Sequence, residues 1–298
     1  MSFSAKALSR LSFSTVLLCL ALPTLGACGR ANMRLVEVEY ASGSVAQVTY
    51  NNDGTPEEIE TVDSDGSFSN RLEFTWSEGK LAEVQILDDN TATFTLEYRY
   101  DDQGRVTQAN ADRDGQVIKI EYEYDSDNAN LLDQLDVDVD IGGGVLNHQR
   151  TEYRYNEGKV SDVDHQTDAT FPIFGTTTTN FSDELDWDGN ELERITREGG
   201  DTDVFRYSYN DDGSLDEVDT GDDGYQLGYD DRGRIDDVEF QKSNGDREST
   251  EYKYEDGAST GIHFTPGIPY GEYFDLAGRP FGNVEVNTIA NLIAYSGL

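Results

Sequence analysis

The sequence predicts an all-β fold, an antiparallel meander of about sixteen to eighteen short strands whose sheet curls or closes. Three observations predict it. A motif of two aromatics, an acidic turn and a glycine recurs along most of the 298-residue chain. Turn residues arrive at a steady interval. Between turns, apolar and polar residues alternate with the two-residue period of a half-buried strand.

The motif is clearest at Tyr98-Arg99-Tyr100-Asp101-Asp102-Gln103-Gly104-Arg105-Val106. It returns at Tyr153 to Val160 and at Tyr207 to Leu215, with weaker copies at Phe74 to Trp76, Tyr122 to Tyr124, Leu227 to Tyr229 and Tyr252 to Tyr254. The two aromatics of Tyr-x-Tyr share one face of a strand. The Asp or Asn that follows folds onto its own backbone, and Gly supplies the positive φ of a tight hairpin. Counting the turns in between, such as Asp63 to Gly66 and Asp222 to Gly224, the signal recurs about every 9 to 15 residues.

Strand faces follow from the alternation. Phe94, Leu96, Tyr98 and Tyr100 oppose Thr93, Thr95, Glu97 and Arg99. Ile118, Ile120 and Tyr122 oppose Lys119, Glu121 and Glu123, and Leu135, Val137 and Val139 oppose Asp136, Asp138 and Asp140. A sheet with one apolar face must cover it by folding over or closing. No amphipathic helix in the sequence is long enough to do so.

The chain divides into four parts. Residues 1–27 read as a secretory leader, with Lys6 and Arg10 before an apolar run from Leu11 to Leu22. Leu25-Gly26-Ala27-Cys28 resembles a bacterial lipobox, which marks Cys28 for lipidation and the chain for a membrane anchor. Gly29 after the Cys favours the outer membrane of a bacterial envelope. Residues 28–34 form a short tether, about six residues from Cys28 to Leu35, or roughly 20 Å when extended. Residues 35–262 form the β domain. Residues 263–298 form a capping segment for the last open strand edge, with three of the six prolines within Pro266, Pro269 and Pro280. Asn287 to Tyr295 reads as a short helix. Cys19 leaves with the leader, so a mature domain has neither a free thiol nor a disulfide.

The repeats resemble the YD repeats of Rhs and teneurin proteins, whose pattern is close to Y-x-Y-D-x-x-G-R-L-x-x-V. Tyr98 to Ala109 and Tyr229 to Val238 carry the resemblance most fully, and it extends over roughly Val38 to Gly257. It implies a spiralling β-sheet, which in Rhs toxins encloses a toxic C-terminal domain. This array is shorter than the family's shells, and no Asp-Pro processing motif or toxin domain follows it. The resemblance therefore implies the fold and a scaffold-like role, and does not imply toxicity.

Composition narrows the function. The chain holds 60 acidic and 22 basic residues, a net charge of −38. Loss of Lys6 and Arg10 with the leader makes it −40. Phosphate binding needs clustered Lys and Arg, so a nucleic-acid partner is excluded. The acids read as a solvated face, or as a surface that attracts basic partners in a salt-dependent way.

Candidate sites are few. Asn110, Asp112, Asp114 and Glu121 fall near EF-hand spacing, but the segment reads as a hairpin with no flanking helix. Weak, diffuse calcium binding over the acidic surface is the expectation, with no assigned metal site and no cofactor. His148, His165 and His263 show no metal spacing and read as surface or rim residues. Phe171, Ile173 and Phe174, where the repeat lapses between His165 and Asp183, form a candidate apolar contact patch. No catalytic motif appears. The leading expectation is a non-enzymatic, lipid-anchored envelope protein that binds protein or carbohydrate. The alternatives are a polysaccharide-acting enzyme using a carboxylate pair and a transmembrane β-barrel.

Overall fold

A computed structural model describes residues 18–20, 33–66, 69–88, 91–113, 116–128, 131–140, 143, 145–171, 175–199, 202–259, 263–264, 266–277, 279–282 and 287–288. The strands are, in order, β1 (Leu18–Leu20), β2 (Met33–Glu39), β3 (Val45–Tyr50), β4 (Pro56–Val62), β5 (Ser69–Ser77), β6 (Lys80–Asp88) and β7 (Thr91–Tyr100). They continue with β8 (Val106–Arg113), β9 (Gln116–Tyr124), β10 (Leu132–Asp140), β11 (Leu146–Asn156), β12 (Lys159–Phe171), β13 (Gly175–Asp188) and β14 (Glu191–Glu198). The last are β15 (Asp203–Tyr209), β16 (Leu215–Asp219), β17 (Gly224–Tyr229), β18 (Ile235–Gln241), β19 (Arg247–Asp256), β20 (His263–Phe264) and β21 (Asn287–Thr288).

Strands β2 to β19, eighteen in all, form one closed antiparallel barrel in which each strand pairs with its neighbours in sequence. Closure comes from β19 meeting β2, with Tyr252 opposite Val38 and Tyr254 opposite Leu35. The expected all-β meander is therefore the observed architecture, and the sheet closes. The first barrel strand begins at Met33, inside the expected tether. β1 lies between β20 and β21 in a separate three-stranded sheet. The helix expected from Asn287 to Tyr295 is corrected at its start, because Asn287–Thr288 is extended and pairs with β1; the rest of that range lies outside the described residues.

The acidic turns work as their composition demands. Asp101 Oδ1 accepts from the backbone N–H groups of Gln103 and Arg105, both at 2.9 Å, and Oδ2 accepts from Arg105 Nε at 2.6 Å. Gly104 sits at φ +84°, the left-handed region that a side chain would strain. The pairing register slips by one residue between Arg99 and Tyr100, a bulge that recurs at Tyr50, Trp76, Tyr155, Trp187, Tyr209, Tyr229 and Tyr254.

The second aromatic of each repeat has a fixed partner. Tyr100 donates its hydroxyl to Leu81 O at 2.6 Å, and Tyr124 donates to Val106 O at 2.8 Å. The same bond joins Tyr50 to Leu35, Trp76 to Pro56, Tyr155 to Leu132, Trp187 to Val160, Tyr209 to Leu192, Tyr229 to Leu215 and Tyr254 to Ile235. Nine such rungs, one per two strands, run round one mouth of the barrel. The basic residue just before the acceptor lies over the same ring in five of them: Arg34 on Tyr50, Lys80 on Tyr100, Arg105 on Tyr124, Lys159 on Trp187 and Arg234 on Tyr254. The Gly-Arg-aliphatic part of the motif is thus explained by packing. The cation covers an aromatic whose hydroxyl or indole N–H is already bonded to the next backbone position.

The barrel is filled. Its apolar faces form one core that includes Leu96, Ile120, Ile195, Val218 and Val238, and that core also takes in Phe264, Ile268, Tyr273 and Phe274 from beyond β19. Phe274 is fully buried and stacks on Tyr207, with ring centroids 5.4 Å apart. Gly267 N donates to Tyr252 Oη at 2.8 Å, while Ile235 N donates to Leu276 O and Val160 N to Gly282 O, both at 2.8 Å. The segment expected to cap an open edge therefore lines the inside of the wall from β12 to β19. The strand end it was expected to cover, that of β19, pairs instead with β2 from Glu251 to Asp256.

Candidate functional site

The repeat lapse between His165 and Asp183 lies within a single long hairpin. β12 and β13 run 13 and 14 residues, and they pair along their whole length from Asp162 opposite Glu184 to Phe171 opposite Gly175. β14 cannot follow them so far. It pairs with β13 only from Asp188 back to Ser182, where Glu198 is its last partner. Beyond that point Gly175–Phe181 is bonded to a strand on one side only among the described residues, and residues 175–180 are exposed. Gly199 permits the departure of β14: a Cβ there would lie 2.5 Å from Phe181 Cβ and 2.8 Å from Asn180 O.

At the foot of this free edge lies a hollow of about 460 Å³. Its lining includes Arg150, Glu152, Asp164, Gln166, Asn180 and Glu198, together with His165 and Phe181. The first six come from one face of β11 to β14, the face turned away from the core, while His165 and Phe181 are paired on the alternate face. Arg150 is held by Asp136 at 2.9 Å, and Asp164 by Arg154 at 2.5 Å. Glu152 and Glu198 enter no ion pair among the described residues. The hollow is therefore acidic in balance.

On the inner side of the same strands sits a buried polar cluster. Asp183, 1% exposed, accepts from Arg197 Nε at 2.8 Å, Arg197 Nη2 at 3.0 Å and Tyr270 Oη at 2.9 Å. His165 Nε2 lies 3.3 Å from Asp183 Oδ2, and its Nδ1 lies 3.2 Å from Thr151 Oγ1. A ring with its proton on Nε2 satisfies both contacts. The imidazole stacks on Phe181 at 4.3 Å, and the Arg197 guanidinium lies over both Phe181 and Tyr270. Burial alone would push the Asp183 carboxyl up. The hydrogen bonds from His165 and Arg197, with that from Tyr270, outweigh it and hold the carboxyl below its ordinary range.

The sequence candidates are placed as follows. Asn110 and Asp112 lie within β8 and Glu121 within β9, where Glu121 stands opposite Gln108 and pairs with Lys119 at 2.6 Å. These are strand positions staggered along a hairpin, as expected, and Asp114 lies outside the described residues. No cluster of three or more His, Cys, Asp or Glu able to hold a metal occurs among the described residues. Phe171 ends β12, while Ile173 and Phe174 lie outside the described residues, as does Cys28. His148 Nδ1 contacts Asp138 Oδ1 at 2.8 Å. His165, read as a rim residue, is instead part of the Asp183 cluster. Sequence reasoning missed Asp183, Arg197 and the free edge. The one available signal was the unusually long interval from Gly158 to Gly189, which obliged some strand to outrun its neighbour.

No protein-family profile matches the chain, and no curated protein matches it. Solved structures with a similar course include the crystal structure of TcdB2-TccC3-Cdc42, at 14% identity and a TM-score of 0.36, covering 83% of this chain and 17% of that one. A second is TcdB2-TccC3 without its hypervariable C-terminal region, at 13% identity and a TM-score of 0.36, covering 84% of this chain and 17% of that one. The present chain thus spans less than a fifth of the length of those it is similar to.

Proposed function

We propose that the protein is a non-enzymatic, lipid-anchored component of a bacterial envelope whose barrel serves as a scaffold and binding surface. The observation that carries this reading is the way the wall is filled. Apolar side chains of the wall, with Phe264, Ile268, Tyr273 and Phe274 from beyond β19, occupy the interior, while charged side chains populate the outside. Recognition is then left to the outer surface and the strand ends. Ion-pair ladders such as Arg71 with Glu58, Glu60 and Glu73 stand on that outer face, an arrangement suited to water and unsuited to lipid. A polysaccharide-acting enzyme would need a carboxylate pair facing a cleft, one of them buried. The buried carboxylate here, Asp183, is committed to Arg197, His165 and Tyr270.

Anchorage rests on Cys28 at the end of the lipobox-like Leu25-Gly26-Ala27-Cys28. Cys28→Ser should move the protein from the membrane to the soluble fraction of a cell lysate. Retention of the variant in the membrane overturns the anchor. Affinity capture from the native envelope at low and high salt tests the binding role, since a specific partner persists at both while plain charge attraction disappears.

A further inference from the structure

We propose that the free edge of β13, Gly175–Phe181, is a docking site for an extended, lysine- or arginine-bearing peptide segment, which adds as a strand in line with β14 and sets a basic side chain over Glu152, Asp164 and Glu198. The proposal rests on the binding-surface reading and names the partner and its place.

Four observations lead to it. First, the edge is long. Seven residues of β13 continue past the last pair with β14, roughly 20 Å of backbone with no strand partner on that side among the described residues. Among the described residues it is longer than the stretch Thr91–Leu96 of β7 that lacks a β8 partner, and than the four residues Arg247–Thr250 by which β19 outruns β2.

Second, the edge is unprotected. Natural proteins blunt open edges with charges, prolines or bulges. Arg247–Thr250 follows that rule, with Arg247 in an ion pair with Glu239 at 2.7 Å. Gly175-Thr176-Thr177-Thr178-Thr179-Asn180-Phe181 carries no charge, although the chain holds 82 charged residues, and its four threonines are β-branched. The edge is also held in shape from within. Thr178 Oγ1 donates to Asp168 Oδ1 at 2.5 Å, and Thr170 and Thr176 bond through their hydroxyls at 2.8 Å.

Third, β14 stops pairing at Glu198, and Gly199 lies close against Phe181 and Asn180, so an added strand would begin past Gly199 with Glu198 and the hollow as its nearest described neighbours.

Fourth, the charge selects the occupant. Glu152 and Glu198 lack ion partners among the described residues, and the outward positions of β12 next to the edge include Asp164 and Asp168. A second copy of the chain would bring another net charge of −38 to the same place and set carboxylates against carboxylates. A basic extended segment meets neither penalty. It gains main-chain hydrogen bonds along the edge and charge complementarity at its foot.

The test uses the full chain in detergent micelles and fluorescence anisotropy with a labelled nine-residue peptide of alternating lysine and valine. A control peptide keeps the same charges but carries N-methyl groups on alternate backbone amides, so it cannot extend the ladder. The unmodified peptide should bind in low salt, and N-methylation should weaken it by at least about tenfold. Glu152→Gln with Glu198→Gln should weaken it by a further factor of about ten without changing the thermal midpoint greatly. Equal binding of the two peptides, or binding of neither, overturns the proposal. So does a sedimentation profile in which the chain is a dimer that Thr178→Lys dissociates, since the edge would then belong to a second copy. Peptide binding by a Cys28→Ser protein that stays in the membrane would retain the edge and reject the anchor. Release of that variant from the membrane, with no peptide binding by the wild-type chain, would do the reverse.

Discussion

Tyr270 donates its hydroxyl to Asp183 Oδ1 at 2.9 Å, joining the segment inside the barrel to a strand of its wall. The bond is one of several on a single carboxylate, and it fixes the direction from which the inner segment approaches β13. Asp183 is held ionised, below the ordinary carboxylate range, so its sign is set. Its contribution is present in full above the unfolded-chain value of about 3.9 and is lost as pH falls through the lower folded value. Asp183→Asn should cost about 3–5 kcal/mol at neutral pH, because it strands Arg197 without its partner. Urea unfolding at pH 7 and at pH 3 checks this. The gap between wild type and variant should narrow in acid.

The inner segment also contributes by filling. Phe274 is fully buried against Tyr207. Phe274→Ala should destabilise the barrel by about 3–5 kcal/mol through lost burial and the cavity left behind. If the segment were an accessory lying on a self-sufficient wall, the thermal midpoint would hardly move.

Two tyrosines of one repeat should respond differently to the same change. Tyr100 gives its hydroxyl to Leu81 O, whereas the Tyr98 hydroxyl is buried with no hydrogen-bond partner among the described residues. Tyr100→Phe should cost about 0.5–1.5 kcal/mol, while Tyr98→Phe should be neutral or stabilising, since it removes an unsatisfied group. Paired denaturant curves measure both, and equal losses would contradict the assignment of the rung.

The buried tyrosines predict an alkaline limit as well. Burial pushes the Tyr100 and Tyr252 hydroxyls up to about 12. A raised folded value means stability that is intact below the unfolded tyrosine value of about 10 and is lost as pH rises towards 12. Unfolding followed by far-ultraviolet circular dichroism should coincide with the tyrosinate absorbance change above pH 10. Tyrosinate appearing well before unfolding would show the hydroxyls to be accessible.

The parts of this fold that sequence could reveal are those set by near neighbours. Tyr98 and Tyr100 share a face, and both pack against the core, because strand geometry leaves them no choice. Asp101 and Gly104 form their turn from their own atoms. Two repeats were harder to see. Val48-Thr49-Tyr50 and Leu185-Asp186-Trp187 carry one aromatic in place of two, yet Tyr50 and Trp187 make the same rung as Tyr100. Closure was beyond reach for another reason. It depends on twist summed over all eighteen strands, which no local residue encodes. The Asp183 cluster draws on Thr151, His165, Arg197 and Tyr270, far apart in the chain and alike only in facing one spot.

The seam between Tyr252 and Val38 also governs how the molecule is made. A growing polypeptide can zip each hairpin as it emerges, since every other pairing in the barrel is between consecutive strands. The ring can lock only after nearly the whole chain has been delivered, and contacts of such large sequence separation form slowly. Until then the strand carrying Val38 waits with one side bare, at the moment when sticking to another unfinished chain is easiest. Speed of delivery, more than final stability, should therefore set the yield of this protein in a cell.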